Sequence, residues 1–462
     1  MSIRSNLIGD RSFYRRVAAV AVPIIVQNGI TTFVSLLDNV MVGRVGTLEM
    51  SGVSVVNQIL LIFMLSVWGI NAGAGIFTAQ FRGSCDNDGI RYTLRYKLLA
   101  CTVITSAFIL AMIPAAKPLI GLFLQGEGSP EDAKAIMGFG MEYLHIMLWG
   151  VVPFGLCHAY AGTLRECDKG TVPMVGSMIA VGVNLILNYI LIFGRLGLPA
   201  MGVKGAALAT VISRFVELGV VAGWAHLHTK ILPCIKGLFR GIYIPGKLLG
   251  KMILKSTPLL FNEALYATGM GIISQSYSTC GLDVVSAVSI ATTLNNLASV
   301  VTTAIGNTIG IIMGQMLGTN RTREELRTAN SRLLALAVAA GVVFGLFLVA
   351  ISGLFPKCYN ASAEIRALAT SLILIMAVVK PFLTFSSSCY YTVRAGGQIG
   401  VTFLYDSGFM FAFTIPIAVC LSRFTDISIL LLFFCCQLPD MCKCVLGFIM
   451  IKKERWMQRL IP

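Results

Sequence analysis

Apolar residues come in long runs separated by short polar punctuation, and twelve such runs follow one another along the chain. They predict helices at about 17–43, 52–80, 98–124, 137–160, 171–194, 203–228, 257–280, 286–313, 333–355, 367–393, 400–422 and 428–450. Each run holds about 20 residues or more, enough to cross a hydrocarbon core of roughly 30 Å as a helix. Within lipid every backbone polar group must be satisfied internally, so runs of this length read as spanning helices. The expected fold class is an all-α polytopic membrane protein with 12 transmembrane helices. The first run follows "RSFYRR" and lacks a small-residue cleavage site after a short apolar stretch. That predicts a retained helix rather than a signal peptide. No soluble domain remains once the runs are removed.

The runs repeat. At one constant offset "PIIVQN" (23–28) faces "PLLFNE" (258–263), "GVSVV" (52–56) faces "AVSIA" (287–291), and "AQFRG" (79–83) faces "GQMLG" (314–318). A second, slightly shorter offset sets "GTLRE" (162–166) against "YTVRA" (391–395). A six-span shift preserves orientation, which predicts two pseudo-symmetric six-helix lobes related by an axis along the membrane normal, with a cavity between them. The expected organisation is an N-terminal lobe over 1–229, a cytoplasmic linker over 230–256 and a C-terminal lobe over 257–462.

Composition agrees with a membrane protein: 56% of the 462 residues are hydrophobic and only 12% are charged. The net charge of +15 is a topology signal. The N-terminus, the even-numbered loops and the C-terminal tail hold 26 of the 36 Lys and Arg, against 8 in the odd-numbered loops. Both termini are therefore expected in the cytoplasm. No basic stripe with interleaved aromatics points to nucleic acid. No HExxH, Walker-type loop or GxSxG motif points to an enzyme, and no cofactor is expected. The 13 cysteines are scattered, mostly inside spans, and read as small core residues.

Against this background the few polar residues within spans carry the chemistry. An ionised group in the bilayer is costly and should face protein or water. Val17 to Gly43 holds one charge, Asp38, and Gln27, Thr31, Ser35 and Asp38 follow at spacings that put them on one helical face. "VNLILNY" adds Asn184 and Asn188 four residues apart, and Tyr143 and Thr210 could close the same cavity. A carboxylate among amides and hydroxyls can hold a proton, a sodium ion or an organic cation and exchange one for another. Asp38 with Asn184 is the candidate sodium site. In the second half, Glu263, Asp406 and Lys380 are either a structural ion-pair group or functional, and the residues alone leave both open. Ser289, Thr292, Asn296, Thr303 and Asn307 line one face of span 8. Arg214 and Glu217, three apart, read as a local pair.

"LLDNVMVGRVGTLEMSGVSVV", "TLRECDKGTVPM", "NLILNYILIFGRLGLPAMGVKGAALAT" and "GQMLGTNRTREE" resemble, in order, segments of the multidrug and toxic compound extrusion (MATE) family, and the likeness covers nearly the whole chain. The resemblance implies two six-helix lobes and antiport of organic cations or amphipathic drugs against protons or sodium ions. It sets Asp38 at the family's span 1 carboxylate, with Tyr143, Asn184 and Thr210 at its polar positions. Asn188 stands where some members have a second aspartate. Glu263 lies on the helix where other members place an acid, but about one turn nearer the cytoplasmic end; Asp406 is a candidate C-lobe partner on helix geometry alone, apart from the resemblance. The implied setting is the bacterial inner membrane, with a monomer acting on small molecules. A flippase for lipid-linked oligosaccharides or lipid precursors, from the same superfamily, is the alternative, and it requires a basic cavity.

Overall fold

The computed structural model describes residues 7–43, 45–124, 129–195, 197, 199–425 and 427–462, leaving aside the side chains at 35, 36, 39 and 40. Its described residues form twelve long helices and no strand. In the first half these are α1 (Arg11–Gly43), α2 (Thr47–Gly83), α3 (Asn87–Phe123), α4 (Pro130–Glu166), α5 (Thr171–Phe193) and α6 (Val203–Leu227). In the second half they are α7 (Gly246–Ser278), α8 (Leu282–Gly318), α9 (Arg323–Ile351), α10 (Ala363–Ala395), α11 (Ile399–Phe424) and α12 (Ile429–Lys452).

Eleven of these helices are long and apolar enough to cross a membrane. The remaining one, α7, is a 33-residue helix whose Asn262, Glu263, Gln275 and N-terminal lysines lower its hydropathy. Several helices extend one or two turns past the apolar runs, because polar caps fix their ends. Asp86 accepts from the amides of Asp88 and Gly89 at the start of α3, and Thr322 with Glu325 forms a reciprocal capping box on α9. Ahead of α1, the Asp10 carboxylate accepts from the Ser12 hydroxyl (2.6 Å) and the Phe13 amide (3.1 Å), which together hold its pKa below the usual carboxylate value.

α11 departs from the expected regular helix. Leu404–Gly408 and Met410–Thr414 are π-helical, and three consecutive side chains there reach other helices. The Tyr405 hydroxyl meets Ser386 Oγ at 2.7 Å and donates to the Lys443 carbonyl at 3.0 Å, Asp406 meets Asn262, and Ser407 donates to Asn262. A wider turn frees backbone positions and marks functional segments in many helices.

Contacts gather the chain into two compact units. One comprises the residues up to Ile25, Ala79–Cys85 and Phe261–Pro462; the other comprises Val26–Thr78 and Asp86–Leu260. α1, α2 and α7 thus pass from one unit to the other within their length. In α1 and α7 the change comes just after Pro23 and Pro258, which the repeat pairs.

In the unit that holds the C-terminal residues, Val17 is buried with Ile305, Ile309, Met313, Leu333 and Trp456, and Ile24 is buried with Val20 and Ala304. The paired segments found in the sequence, 79–83 and 314–318, touch there. A Cβ at Gly83 would overlap the Gln315 carbonyl, and a Cβ at Gly318 would overlap the Gln80 carbonyl. The contact is reciprocal, and it brings two helix backbones together through small residues. Around it, Arg16 donates to Gln315 Oε1 at 2.8 Å, while Gln80 donates to the carbonyls of Ala395 and Gln458 and accepts from the Leu460 amide at 2.8 Å.

In the other unit, Lys97 is fully buried and pairs with Glu166 while also donating to Thr163 Oγ1 at 3.2 Å. Removing Glu166 would leave the fully buried Lys97 ammonium without its counter-ion, at a cost of about 3–5 kcal/mol. Arg91 and Arg95, one turn apart on α3, grip the linker. Arg95 donates to the carbonyls of Leu238 and Gly237 at 2.8 Å each, and Arg91 to that of Cys234 at 3.1 Å. Six buried cysteines, among them Cys101 and Cys157, serve as packing residues.

Candidate functional site

Asp38 lies several turns past Pro23 on α1, half-buried, opposite the buried polar edge of α5. Its Oδ1 accepts from Asn188 Nδ2 at 2.6 Å. The same Nδ2 donates to Asn184 Oδ1 at 3.1 Å, Asn184 Nδ2 donates to Thr210 Oγ1 at 3.4 Å, and Thr210 donates to its own helix at the Ala206 carbonyl. Asn184 and Asn188 are almost completely buried, and their spacing of four stacks the two amides on one face of α5. Four of the residues singled out in the sequence are thus joined in one hydrogen-bonded row.

Two features of the row bear on cations. No Lys or Arg pairs with Asp38 among the described residues. Because Asn188 spends its NH₂ on Asp38 and Asn184, its carbonyl oxygen points elsewhere, and that Oδ1 is buried without a partner. An unpaired carboxylate and an orphaned amide oxygen in one row are the kind of oxygen donors a hard cation takes. Among the described residues no group of three or more His, Cys, Asp and Glu is placed to hold a metal ion, so a sodium site here would rest on one carboxylate and amide oxygens.

The other residues of that half fall outside the row. Gln27 donates to Ser177 Oγ at 2.8 Å, and Ser177 donates to Glu217. Thr31 is exposed and turns its hydroxyl back to the Gln27 and Asn28 carbonyls. Tyr143 is buried and donates to Asn57 Oδ1 at 3.4 Å. Ser35 lies outside the described residues. Arg214 and Glu217 do not pair, correcting the local-pair expectation: Glu217 accepts from Ser177, and Arg214 donates to the Gly150 carbonyl at 3.3 Å and lies over the Phe154 ring.

In the second half, Asn262 Nδ2 donates to Asp406 Oδ2 at 2.9 Å, and Ser407 Oγ donates to Asn262 Oδ1 at 2.7 Å. Glu263 makes no side-chain hydrogen bond among the described residues, and Asn296 is exposed on α8. Glu263, Asp406 and Lys380 form no ion pair with one another. Lys380 instead donates to Asn295 Oδ1 at 3.0 Å and Ser299 Oγ at 2.7 Å. The ion-pair alternative left open by the sequence is therefore closed.

The contact of Asn262 with Asp406 is the repeat of the contact of Gln27 with Ser177: the longer offset carries Gln27 onto Asn262, and the shorter one carries Ser177 onto Asp406. Asn262, Ser407 and Ser177 went unnoticed in the sequence, although applying those offsets to Asp406 and Gln27 finds Ser177 and Asn262. The positions equivalent to Asp38 and Asn188 are Ile273 and Ile417, so the acid–amide row has no copy in the second half.

A family model described as MatE matches the chain twice, over residues 23–190 and 258–425, segments that start at the two prolines paired by the repeat. The chain is 21% identical to "Probable multidrug resistance protein NorM" of Thermotoga maritima, over 89% of this chain and 86% of that protein. It is 28% identical to a protein of the same name from Shewanella oneidensis, over 79% of this chain and 77% of that protein. Among solved structures it resembles "Outward-facing conformation of a multidrug resistance MATE family transporter of the MOP superfamily", with a TM-score of 0.85, 17% identity, and coverage of 98% of this chain and 97% of that one.

Proposed function

From the premise that the chain belongs to the MatE family, a family of membrane transporters rather than enzymes, we propose that it exports amphipathic, often cationic small molecules in exchange for protons or sodium ions. Its relatives' names support drug substrates. Asp38 is the exchange residue. The observation that carries this reading is an unneutralised carboxylate held by the NH₂ of Asn188 at the end of a buried amide row, with the Asn188 carbonyl oxygen left without a partner. A proton or sodium ion on Asp38 cancels the negative charge, and an organic cation competes for the same carboxylate. Exchange then follows if ion and substrate favour different conformations, because a ligand shifts an equilibrium only through its differential affinity.

The setting in this reading is the bacterial inner membrane, with both termini cytoplasmic, as the 26 to 8 split of basic residues implies. The chain works as a monomer, since one copy carries the whole row. The test is efflux of a cationic dye from proteoliposomes, under an imposed sodium gradient and then a proton gradient. One of the two should accelerate efflux, and acceleration by neither would remove antiport as the function.

A further inference from the structure

The second half carries a buried cation that nothing so far explains. Lys380 sits in the middle of α10 and is 3% exposed, and no carboxylate pairs with it among the described residues. An ammonium in such a place normally costs several kcal/mol unless it is compensated. Its two described partners, Asn295 and Ser299, are neutral and lie one turn apart on α8.

The lysine fixes how the asparagine points. Lys380 is a donor only, so the Asn295 carbonyl oxygen must face it and the NH₂ must face away. That Nδ2 has no hydrogen-bond partner among the described residues and is not one of the buried orphaned atoms, so it opens onto accessible space. Ser289, Asn296 and Thr303 are exposed on the same helix, and Asn295 and Ser299 are half-buried. Unsatisfied amides and hydroxyls in hydrocarbon would cost a few kcal/mol each, so this strip faces water rather than acyl chains.

We infer that the Asn295 amide, aimed outward by Lys380, is a subsite for the carboxylate or other anionic group of a transported amphiphile. The amide donates the hydrogen bonds, and the lysine behind it supplies the positive field. Lys380 is thus a positioning residue, and the substrates it selects are zwitterionic or acidic as well as cationic. One lysine suits a single carboxylate better than a pyrophosphate. The inference rests on the export function proposed above for its transport readout.

The test compares rhodamine B, which carries a free carboxylate, with its ethyl ester, in the wild type, Lys380→Met, Lys380→Arg and Asn295→Ala. Both efflux from proteoliposomes and fluorescence-polarisation binding to the purified protein are measured. Lys380→Met and Asn295→Ala should weaken the acid relative to the ester by about ten-fold, the scale of a lost charge-assisted hydrogen bond. Lys380→Arg, which keeps the charge, should lose less. Ester transport serves as the control for folding, and Asn295→Ala carries the comparison if Lys380→Met does not insert. Acid and ester weakening together, or neither changing, would overturn the subsite. If the wild type transports neither dye, the export reading fails, while the acid-to-ester binding ratio still decides the subsite.

Discussion

Asp38→Asn will insert and fold normally yet lose gradient-driven efflux. The substitution is nearly isosteric, and an asparagine Oδ1 still accepts from Asn188 Nδ2 where the carboxylate oxygen accepts now, at 2.6 Å. What disappears is the charge. A neutral amide takes up no proton and offers a sodium ion no compensating charge, so the driving ion no longer distinguishes the conformations. Ion–substrate coupling is typically worth about 1–3 kcal/mol, or a factor of about 5–150, and gradient stimulation should fall by at least the lower figure. The second half cannot substitute, because Ile273 and Ile417 occupy the equivalent positions. Side-by-side dye efflux and size-exclusion profiles separate lost exchange from lost folding. A mutant that responds to the gradient like the wild type would take Asp38 out of the mechanism.

Gly83→Ala and Gly318→Ala should each destabilise the protein by at least the about 1–3 kcal/mol typical of overpacking. At both positions the added methyl would overlap a backbone carbonyl, of Gln315 and Gln80 respectively, and backbone cannot swing aside as a long side chain can. Either change forces α2 and α8 apart. The wider spacing then disturbs the bonds that Gln80 makes to Ala395, Gln458 and Leu460. Since one separation relieves both clashes, the double mutant should cost less than the sum of the singles. Gly182→Ala and Gly219→Ala, where a Cβ meets nothing within 4 Å, are the controls. The readout is the thermal midpoint of aggregation in detergent. Equal midpoints for Gly83→Ala and Gly182→Ala would show that the close approach contributes nothing to stability.

The helices were legible because the lipid requirement writes itself into composition: a spanning run must be apolar over its length. Even α7, whose polar residues keep it from being apolar enough to cross a membrane by length and composition, is visible as the run at 257–280. Asp38 stood out as the one charge between Val17 and Gly43, and the spacing of Asn184 and Asn188 put both on one face of their helix. Partner choice was harder to read, since helical spacing gives the face of a residue but not what stands opposite. Gln27 and Thr31 share a face with Asp38, yet one bonds to Ser177 and the other to its own backbone. The π-helical stretch of α11 left no trace in periodicity, because it reflects the partners of Tyr405, Asp406 and Ser407 on other helices. For Lys380 the sequence leaves an ion-pair role and a functional one open, and only geometry shows that its partners are an amide and a hydroxyl.

The passage of α1 and α7 between units has a consequence for cutting the gene. Residues up to Ile25 belong with the second half and residues 246–260 with the first, so each repeat lends its opening turns to the other. A break in the linker would yield two polypeptides that each lack a stretch of their own bundle, with Val17 and Ile24 left as sticky, unhoused apolar ends on the first. Made together, the two pieces should re-knit by exchanging those ends, as a swapped dimer does, whereas either made alone should be cleared by quality control.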